Sequence, residues 1–370
     1  MKKTPTVYDV AADAGVSIAT VSRVFRRPDD VRASTRETVL ASVRALGYVP
    51  SASARGLAAR RTGVLGLFFP DFDVVDEGDA PSDDLSGSAS RVEVVRDIPD
   101  TGGAQRADLY FDEVLRGSEL QAWHDGFTLM IGVGRGSNPV EVVTDIAGRV
   151  DGLALLAGSV PDSLLEHVSR RIPIVLIAGA RRDDDFDHVM VANADGMHAL
   201  TRHVVDDLGV RDPVFVAGPS ATADDVERHE GFRRALAESG IDAEALPVLH
   251  GDFTRAGGRR VAADLLETLA GAAPPRAIMC SNDQTALGLM EVLIAAGVRI
   301  PLDTIVTGFD GIAESRMSSP RLTTVQQPMI ALGRAAVATM RSRLEDPEQP
   351  PMARRLPVKL LLRESSEGSA

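Results

Sequence analysis

Apolar residues near the amino terminus recur with the spacing of helices. The first run follows the i, i+3, i+4, i+7 pattern of a helix with one buried side, at Val7, Val10, Ala11 and Ala14. Thr6 and Asp9 predict a capping box that opens this helix. Gly15 predicts its end, because glycine readily adopts the left-handed conformation that stops a helix.

A second helix is predicted directly after this glycine. Ser17 is its expected N-cap, and Ile18, Val21 and Val24 are expected on one side of it, with arginines elsewhere. Two helices joined by so short a glycine turn cross steeply, as in a helix-turn-helix motif. The usual role of that motif is to place its second helix in the major groove of DNA.

A third helix is predicted from Ser34 to Leu46. Ser34 and Glu37 form a second expected capping box, and Gly47 is the expected end. The buried stripe of this helix consists of Val39, Leu40, Val43 and Leu46. That stripe gives the two preceding helices a surface on which to pack.

The pattern changes from residue 64 onward. Short apolar runs such as Val64–Phe69 and Ala277–Cys280 alternate with amphipathic helical segments such as Arg255–Leu269. Alternation of this kind predicts parallel sheets covered by helices on both faces, and the predicted strands are too numerous for one sheet. The expected fold is therefore a small all-α helix-turn-helix headpiece followed by an α/β core of two doubly wound parallel-sheet lobes.

Composition narrows the class of protein. With 370 residues and 44% apolar residues, the chain can form two or three domains with full cores. Its apolar runs are shorter than the ~18–20 residues of a membrane span, and its amino terminus lacks the apolar segment of an export signal. The single cysteine, Cys280, cannot form an internal disulfide. These features predict a cytoplasmic protein.

Charge is distributed unevenly along the chain. The net charge is −13, but residues 1–61 carry 11 Lys and Arg against 5 Asp and Glu. Residues 62–110 carry 3 against 11. A basic head on an acidic body is typical of a DNA-binding module joined to a sensor. The alternative is that the basic residues merely decorate the surface of a small helical domain.

Several motifs together resemble the lactose/galactose repressor (LacI/GalR) family of transcriptional regulators. They are the run DVAADAGVSIATVSRV, Leu46-Gly47-Tyr48-Val49-Pro50, Ala54-Arg55-Gly56-Leu57, Arg228-x-x-Gly231-Phe232 and Ser281-Asn282-Asp283. The resemblance implies a headpiece at 1–50, a hinge helix or linker at 51–62, and a periplasmic-binding-protein-like core. The implied first lobe is 63–192 plus 322–355, and the second lobe is 193–321 plus 356–370.

One segment departs from the family, which usually has only a short loop there. Residues 71–107 are acidic and rich in Gly, Ser and Pro, a composition that buries little apolar surface. We expect a flexible insertion with two alternative roles, a lid over the cleft or a solvated loop.

The resemblance implies DNA contacts from the headpiece and hinge. The expected residues are Thr6, Ser17, Ile18, Ala19, Thr20, Ser22, Arg23, Thr35, Ser53, Arg55 and Leu57. Arg23 suits a guanine edge, whereas Ile18 and Ala19 offer only apolar contact, unlike the polar residues of some members. Thr20 and Ser22 have the alternative of being caps or solvated hydroxyls.

The 51–59 segment is too short for a stable isolated helix and is expected to fold with its dimer mate on DNA, where Leu57 wedges into the minor groove. The alternative for Leu57 is an ordinary linker residue.

The resemblance also implies an effector site between the lobes, at the carboxyl ends of the strands. The expected residues are Phe69, Asp71, Tyr110, Phe111, Arg228, Phe253, Asn282 and Asp310. An Arg, an Asn and an Asp around an aromatic ring suit a sugar-like ligand. As alternatives, Asp310 caps the following segment, Phe253 is core, or Arg228 forms a surface ion pair. The family's usual pair of aspartates reads Asp310-Gly311 here, so one carboxylate is missing.

The predicted function is ligand-responsive regulation of transcription, as a repressor, by a homodimer on a pseudo-palindromic operator. The resemblance implies no cofactor, no metal and no membrane partner, and both the effector's identity and the direction of its action stay open. A transport solute-binding protein would need an export signal and no basic head. A sugar-processing enzyme would need a carboxylate pair or an activated nucleophile, and no such motif stands out.

Overall fold

The computed structural model describes residues 5–48, 61–70, 109–134, 138–219 and 222–367. Within it the chain divides into two compact units, Met1–Gly63 and Val64–Ala370. Each unit has its own buried apolar core.

The first unit is built from three helices, α1 (Val7–Asp13), α2 (Ile18–Arg26) and α3 (Ala33–Leu46). A short 3-10 turn, Pro28–Asp30, separates the second helix from the third. The core consists of Val10, Ala11, Val21, Val24 and Val39. These positions belong to the predicted helical stripes, so the prediction of a three-helix headpiece is confirmed.

The predicted helix starts are right in two cases and wrong in one. Thr6 and Asp9 form the capping box of α1, and the Ser17 hydroxyl accepts a hydrogen bond from the amide of Thr20. The capping box expected of Ser34 and Glu37 is absent, because α3 begins one residue earlier and Ser34 lies within its first turn. Ile18 is also misplaced: its side chain is exposed and does not share the buried side of α2 with Val21 and Val24.

The second unit contains two six-stranded sheets. The strands of the first sheet are β1 (Val64–Phe69), β2 (Thr128–Val133), β3 (Gly152–Leu156), β4 (Ile174–Ile177), β5 (Asp187–Val191) and β11 (Ala353–Leu356). Their order is β11-β5-β4-β3-β1-β2, and every pairing is parallel. This sheet forms the core of the first lobe.

The second sheet forms the core of the second lobe. Its strands are β6 (Val214–Ala217), β7 (Val248–His250), β8 (Ala277–Cys280), β9 (Ile305–Asp310), β10 (Thr323–Gln326) and β12 (Lys359–Leu361). Their order is β12-β10-β9-β8-β6-β7, and only the edge strand β12 is antiparallel to its neighbour. The predicted architecture of two doubly wound, mainly parallel sheets is confirmed.

Helices connect and cover the strands. In chain order they are α4 (Leu109–His124), α5 (Pro139–Ala147), α6 (Asp162–Ser169), α7 (Asn193–Arg202), α8 (Ala223–Glu238), α9 (Arg255–Leu269), α10 (Asp283–Ala295), α11 (Ala313–Met317), α12 (Met329–Glu345) and α13 (Glu364–Glu367). A π-helical turn, His203–Asp207, extends α7, and a 3-10 turn, Ala243–Ala245, follows α8.

The chain passes between the lobes three times, and one passage differs from the expected boundary. The first passage, between β5 and α7, agrees with the predicted division at residue 193. We expected the chain to return to the first lobe near Leu322, but β10 still pairs with β9 in the second sheet. The return therefore follows Gln326, and α12 then packs on the first sheet. The last passage lies between β11 and β12.

Candidate functional site

The candidate recognition surface of the headpiece is the amino-terminal part of α2. Gly15 adopts φ +64° and turns the chain sharply after α1. Ser17, Ile18, Ala19 and Arg23 are exposed, while Val21 and Val24 on the opposite side of the helix are buried. One side of α2 is thus exposed and carries both polar and apolar residues. The opposite side is apolar and packs into the core of the headpiece.

The remaining candidates of this unit are less open. The hydroxyls of Ser17 and Thr20 lie 2.9 Å apart, so Thr20 contributes to the cap of α2. Ser22 and Thr35 are half-buried, and Thr6 is exposed beside its own capping box. Tyr8, which the sequence analysis did not single out, is a large exposed side chain with 68% of its surface accessible. It was missed because it lies outside the buried stripe on which the helix prediction rested.

Some predicted residues lie outside the part of the chain that the structure describes. These are Ser53, Arg55 and Leu57 of the hinge and Asp71 of the effector set, together with the 71–107 segment.

Arg228 is the centre of the candidate effector site in the second lobe. It projects from α8 and is only 4% exposed. Its Nε donates to Oδ1 of Asn193 at 3.0 Å, and its Nη1 donates to the carbonyl of Ser281 at 2.8 Å. Nη1 also lies 3.6 Å from Oδ1 of Asp310. Arg228 is therefore a buried, compensated cation, which argues against the surface ion pair considered for it.

Two aromatic rings also pack near the guanidinium of Arg228, and a polar side chain bonds its partner Asp310. The Cζ of Arg228 lies 4.1 Å from the ring centroid of Phe309 and 5.9 Å from that of Phe253. Both distances are within the range of cation–π attraction. The carboxylate of Asp310 accepts a hydrogen bond from Nε2 of Gln327 at 2.7 Å. The predicted residues Arg228, Phe253 and Asp310 thus converge at the ends of strands in the second lobe.

Asn282 supports the position of Phe253. Its Oδ1 accepts from the amide of Thr285 and caps α10, while its Nδ2 donates to the carbonyl of Phe253 at 2.8 Å. Phe253 adopts φ +65°, a conformation that a non-glycine residue holds only with support. Its ring lies directly against the backbone of Gly218, where a Cβ would be 2.1 Å from Cε1 of the ring.

Asp283 holds the turn that carries Asp310. Its Oδ2 accepts from the amides of Gly311 at 2.8 Å and Ile312 at 3.0 Å, and its Oδ1 accepts from the hydroxyl of Thr324 at 2.6 Å. Asp283, not Asp310, thus accepts the hydrogen bonds of the first two amides after β9, and α11 begins without a side-chain cap. Burial raises the pKa of Asp283 to about 7, against the lowering effect of these hydrogen bonds and of the Arg363 charge.

The candidates from the first lobe form an aromatic cluster. The ring centroids of Phe69 and Phe111 are 5.1 Å apart, and those of Tyr110 and Phe111 are 5.3 Å apart. Phe69 is only 1% exposed, so its ring is part of the core of this lobe. Tyr110 and Phe111, at the start of α4, are partly exposed.

Asn193, Asp224 and Gln327 were not predicted as site residues. The contacts of Asn193 with Asp224 and Arg228 join residues 31 and 35 positions apart in the chain. Such contacts leave no local signal in a sequence.

The described residues contain no cluster of three His, Cys, Asp or Glu side chains arranged to hold a metal ion. None of the helices described is long and apolar enough to cross a membrane.

Two separate parts of this chain match known protein families. Residues 6–51 match the family described as bacterial regulatory proteins, lacI family, and residues 202–366 match a periplasmic binding protein-like domain. The HTH-type transcriptional repressor PurR of Erwinia tasmaniensis is 30% identical over 347 residues, covering 92% of this chain and 90% of that protein.

Solved structures show the same architecture. A complex of the transcriptional regulator CelR with cellobiose has a TM-score of 0.66 and 27% identity, over 98% of this chain and all of that one. The lac repressor dimer bound to operator and the anti-inducer ONPF has a TM-score of 0.78 at 24% identity, over 98% and 99% of the two chains. The second likeness concerns the fold.

Proposed function

Because this chain belongs to the lacI family of bacterial regulatory proteins, whose members are transcriptional regulators and not enzymes, we propose that it is a repressor whose operator affinity is set by a sugar-like effector. It acts as a homodimer on a pseudo-palindromic operator. The observation that carries the proposal is the set of exposed residues on α2, Ser17, Ile18, Ala19 and Arg23. The opposite side of that helix is buried in the core of the headpiece.

In this proposal α2 enters the major groove. Arg23 bonds a guanine edge, and Ile18 and Ala19 contact thymine methyl groups. Ser17, Thr20, Ser22, Thr35 and Thr6 bond phosphates and fix the register of the headpiece. The headpiece, 1–50, is joined to the core by a hinge, 51–62, in which Ser53 and Arg55 contact DNA and Leu57 wedges a central base step.

The effector binds at the carboxyl ends of the strands, against Arg228, Phe253, Asn282 and Asp310. The guanidinium of Arg228 is already compensated by Asp310 and bonded to Asn193 and Ser281, so the site suits an uncharged polyol better than an anion. The related regulator bound to cellobiose supports a carbohydrate. Tyr110, Phe111 and Asp71 contribute from the first lobe, and Phe69 supports them from the core.

Exposed apolar side chains support the homodimer. Leu120 and Trp123 lie three residues apart on α4 and are 41% and 76% exposed. Ile294 and Met317, in the second lobe, are exposed as well. Large apolar side chains of this kind are enriched where a second subunit covers a surface.

The proposal is tested by binding to DNA. Fragments of the source genome are screened by mobility shift, and the site is then measured by fluorescence anisotropy with increasing salt. We expect sequence-specific binding that weakens steeply with salt, because several phosphate contacts release counterions. Arg23→Ala should lower specific affinity by roughly 5- to 150-fold, the ~1–3 kcal/mol of one base contact. Arg149→Ala, an exposed charge of the first lobe, is the control.

Each part of the proposal has a result that contradicts it. Equal affinity for all fragments, or an unchanged affinity after Arg23→Ala, contradicts recognition by α2. A monomeric mass in sedimentation at micromolar concentration contradicts the homodimer. A thermal-shift panel of neutral sugars and their phosphates tests the effector, and stabilisation by the phosphates alone contradicts an uncharged ligand.

A further inference from the structure

A chain of hydrogen bonds leads from the effector arginine to the opposite lobe. Nε of Arg228 donates to Oδ1 of Asn193, and Nδ2 of Asn193 donates to Oδ1 of Asp224 at 2.8 Å. The same oxygen of Asp224 accepts from the amide of Gly179 at 2.8 Å. Asp224 and Arg228 belong to α8 of the second lobe, whereas Gly179 follows β4 of the first lobe. The chain of bonds therefore crosses between the lobes.

The backbone of Gly179 confirms that the lobes are in close contact here. A Cβ on this residue would lie 3.0 Å from Cβ of Ala157 in the first lobe and 3.1 Å from Cβ of Ala223 in the second. Gly179 also adopts φ +74°, which favours glycine. The amide that donates to Asp224 thus belongs to a residue packed closely against both lobes.

A second carboxylate, Glu227, lies one turn along α8. Its Oε2 accepts from Nδ2 of Asn193 at 3.1 Å. Burial raises the pKa of Glu227, and the charge of Asp224 adds to that effect, whereas the charge of Arg355 on the first-lobe strand β11 lowers it. Asp224 and Glu227 therefore interact both with Asn193 and with groups of the first lobe.

Asn193 links the two ends of the network. It is 1% exposed, and its amide oxygen is bonded to Arg228 while its amide nitrogen is shared by Asp224 and Glu227. A side-chain amide has one oxygen and one nitrogen on a rigid plane, so movement at one end reorients the other. It also lies at the first passage of the chain between the lobes.

We propose that Asn193 and Asp224 form a latch that holds the lobes closed and couples the state of Arg228 to that closure. They are positioning residues: Asn193 orients Arg228, and Asp224 binds the first lobe through Gly179. The idea rests on the proposed function for its consequence, the regulation of operator affinity, but not for its geometry. Loss of the latch shifts the population toward an open form.

The latch is tested by the distance between the lobes in the full chain without effector. Cysteines replace the exposed residues Ser163 in the first lobe and Thr268 in the second, and both are spin-labelled for pulsed electron resonance. The native Cys280 is fully buried and does not react. Asp224→Ala removes the acceptor, and Asn193→Ala removes the link to Arg228. Asp224→Asn keeps an oxygen acceptor, and Glu230→Ala, on the exposed side of α8, is the matched control.

We expect Asp224→Ala and Asn193→Ala to lower the closed-to-open ratio by roughly tenfold or more, as for a lost hydrogen bond to a charged group. Asp224→Asn and Glu230→Ala should keep the distance distribution of the parent. An unchanged distribution in folded Asp224→Ala, with folding checked by circular dichroism, overturns the proposal. So does an equal opening in Asp224→Asn. No DNA takes part, so failure of the regulatory assignment would leave this result unaffected.

Discussion

Asp283 is a buried carboxylate that supports the geometry of the candidate effector site. It bonds two successive backbone amides, those of Gly311 and Ile312, directly after Asp310. Asp310 adopts φ +123°, which this support maintains. The site therefore depends on a residue that never touches the proposed ligand.

Replacing Asp283 by Ala should lower the free energy of unfolding by about 3 kcal/mol, because two buried amides lose their acceptor. Urea unfolding measures this change. Thr38→Ala, an exposed hydroxyl in α3 bonded to the carbonyl of Ser34, is a control expected to change stability little. A loss as small as that of the control would contradict the structural role given to Asp283.

The raised pKa of Asp283 also predicts a pH dependence. Its pKa is about 7 in the folded chain against 3.8 as the reference value. The folded chain therefore retains a proton that the unfolded chain has lost, so the contribution of this group to stability is present below pH 3.8 and is lost as the pH rises through about 7. Stability of the parent should therefore fall relative to Asp283→Asn between about pH 4 and about pH 7, the interval between the two pKa values. A difference between parent and variant that stays constant over this interval would show that the carboxylate is already ionised in the folded chain, and would contradict the raised pKa.

Among the elements, α4 and α12 bring their backbones into close contact in the first lobe. A Cβ on Gly117 would lie 2.1 Å from the carbonyl oxygen of Ile330, and one on Gly333 would lie 2.0 Å from that of Val114. Gly117→Ala should therefore lower the free energy of unfolding by about 1–3 kcal/mol, although alanine is the better helix former. Gly251→Ala, where the nearest atoms are 3.4 Å from the new Cβ, is the control. Equal thermal denaturation of the two variants would contradict this reading of the crossing.

The elements also show what a sequence can predict. Amphipathic helices were predictable because burial of one side imposes a local period, and buried strands because they form short apolar runs. Gly15 and the Thr6 cap were predictable as well. Ala353–Leu356 was missed because this edge strand is largely exposed and carries two arginines. Ser34 is a residue type that often caps a helix, but it lies two residues past the actual N-cap of α3, Arg32. The return of the chain to the first lobe after Gln326 could not be predicted, because a buried strand has the same apolar sequence pattern in either lobe.

The candidate site likewise contains residues that could be predicted from the sequence and residues that could not. Arg228, Phe253, Asn282 and Asp310 were found through the family resemblance, and the structure brings them together. Their supports, among them Asn193 and Asp224, depend on contacts between residues far apart in the chain, which no local pattern records.

At the scale of the whole molecule, effector and operator binding must be coupled reciprocally. If an effector changes operator affinity by some factor, operator DNA must change effector affinity by the same factor, which is typically 5- to 150-fold. We expect equal factors when anisotropy on labelled operator and calorimetry with the effector are performed in one buffer. Arg23→Ala serves as the control: it should weaken operator binding while leaving the effector affinity of the DNA-free protein unchanged, because Arg23 lies in the headpiece unit. Unequal factors would mean that a further equilibrium, such as dissociation of the dimer, responds to only one of the two ligands. A description of the protein by two states, one favoured by effector and one by operator, would then be wrong.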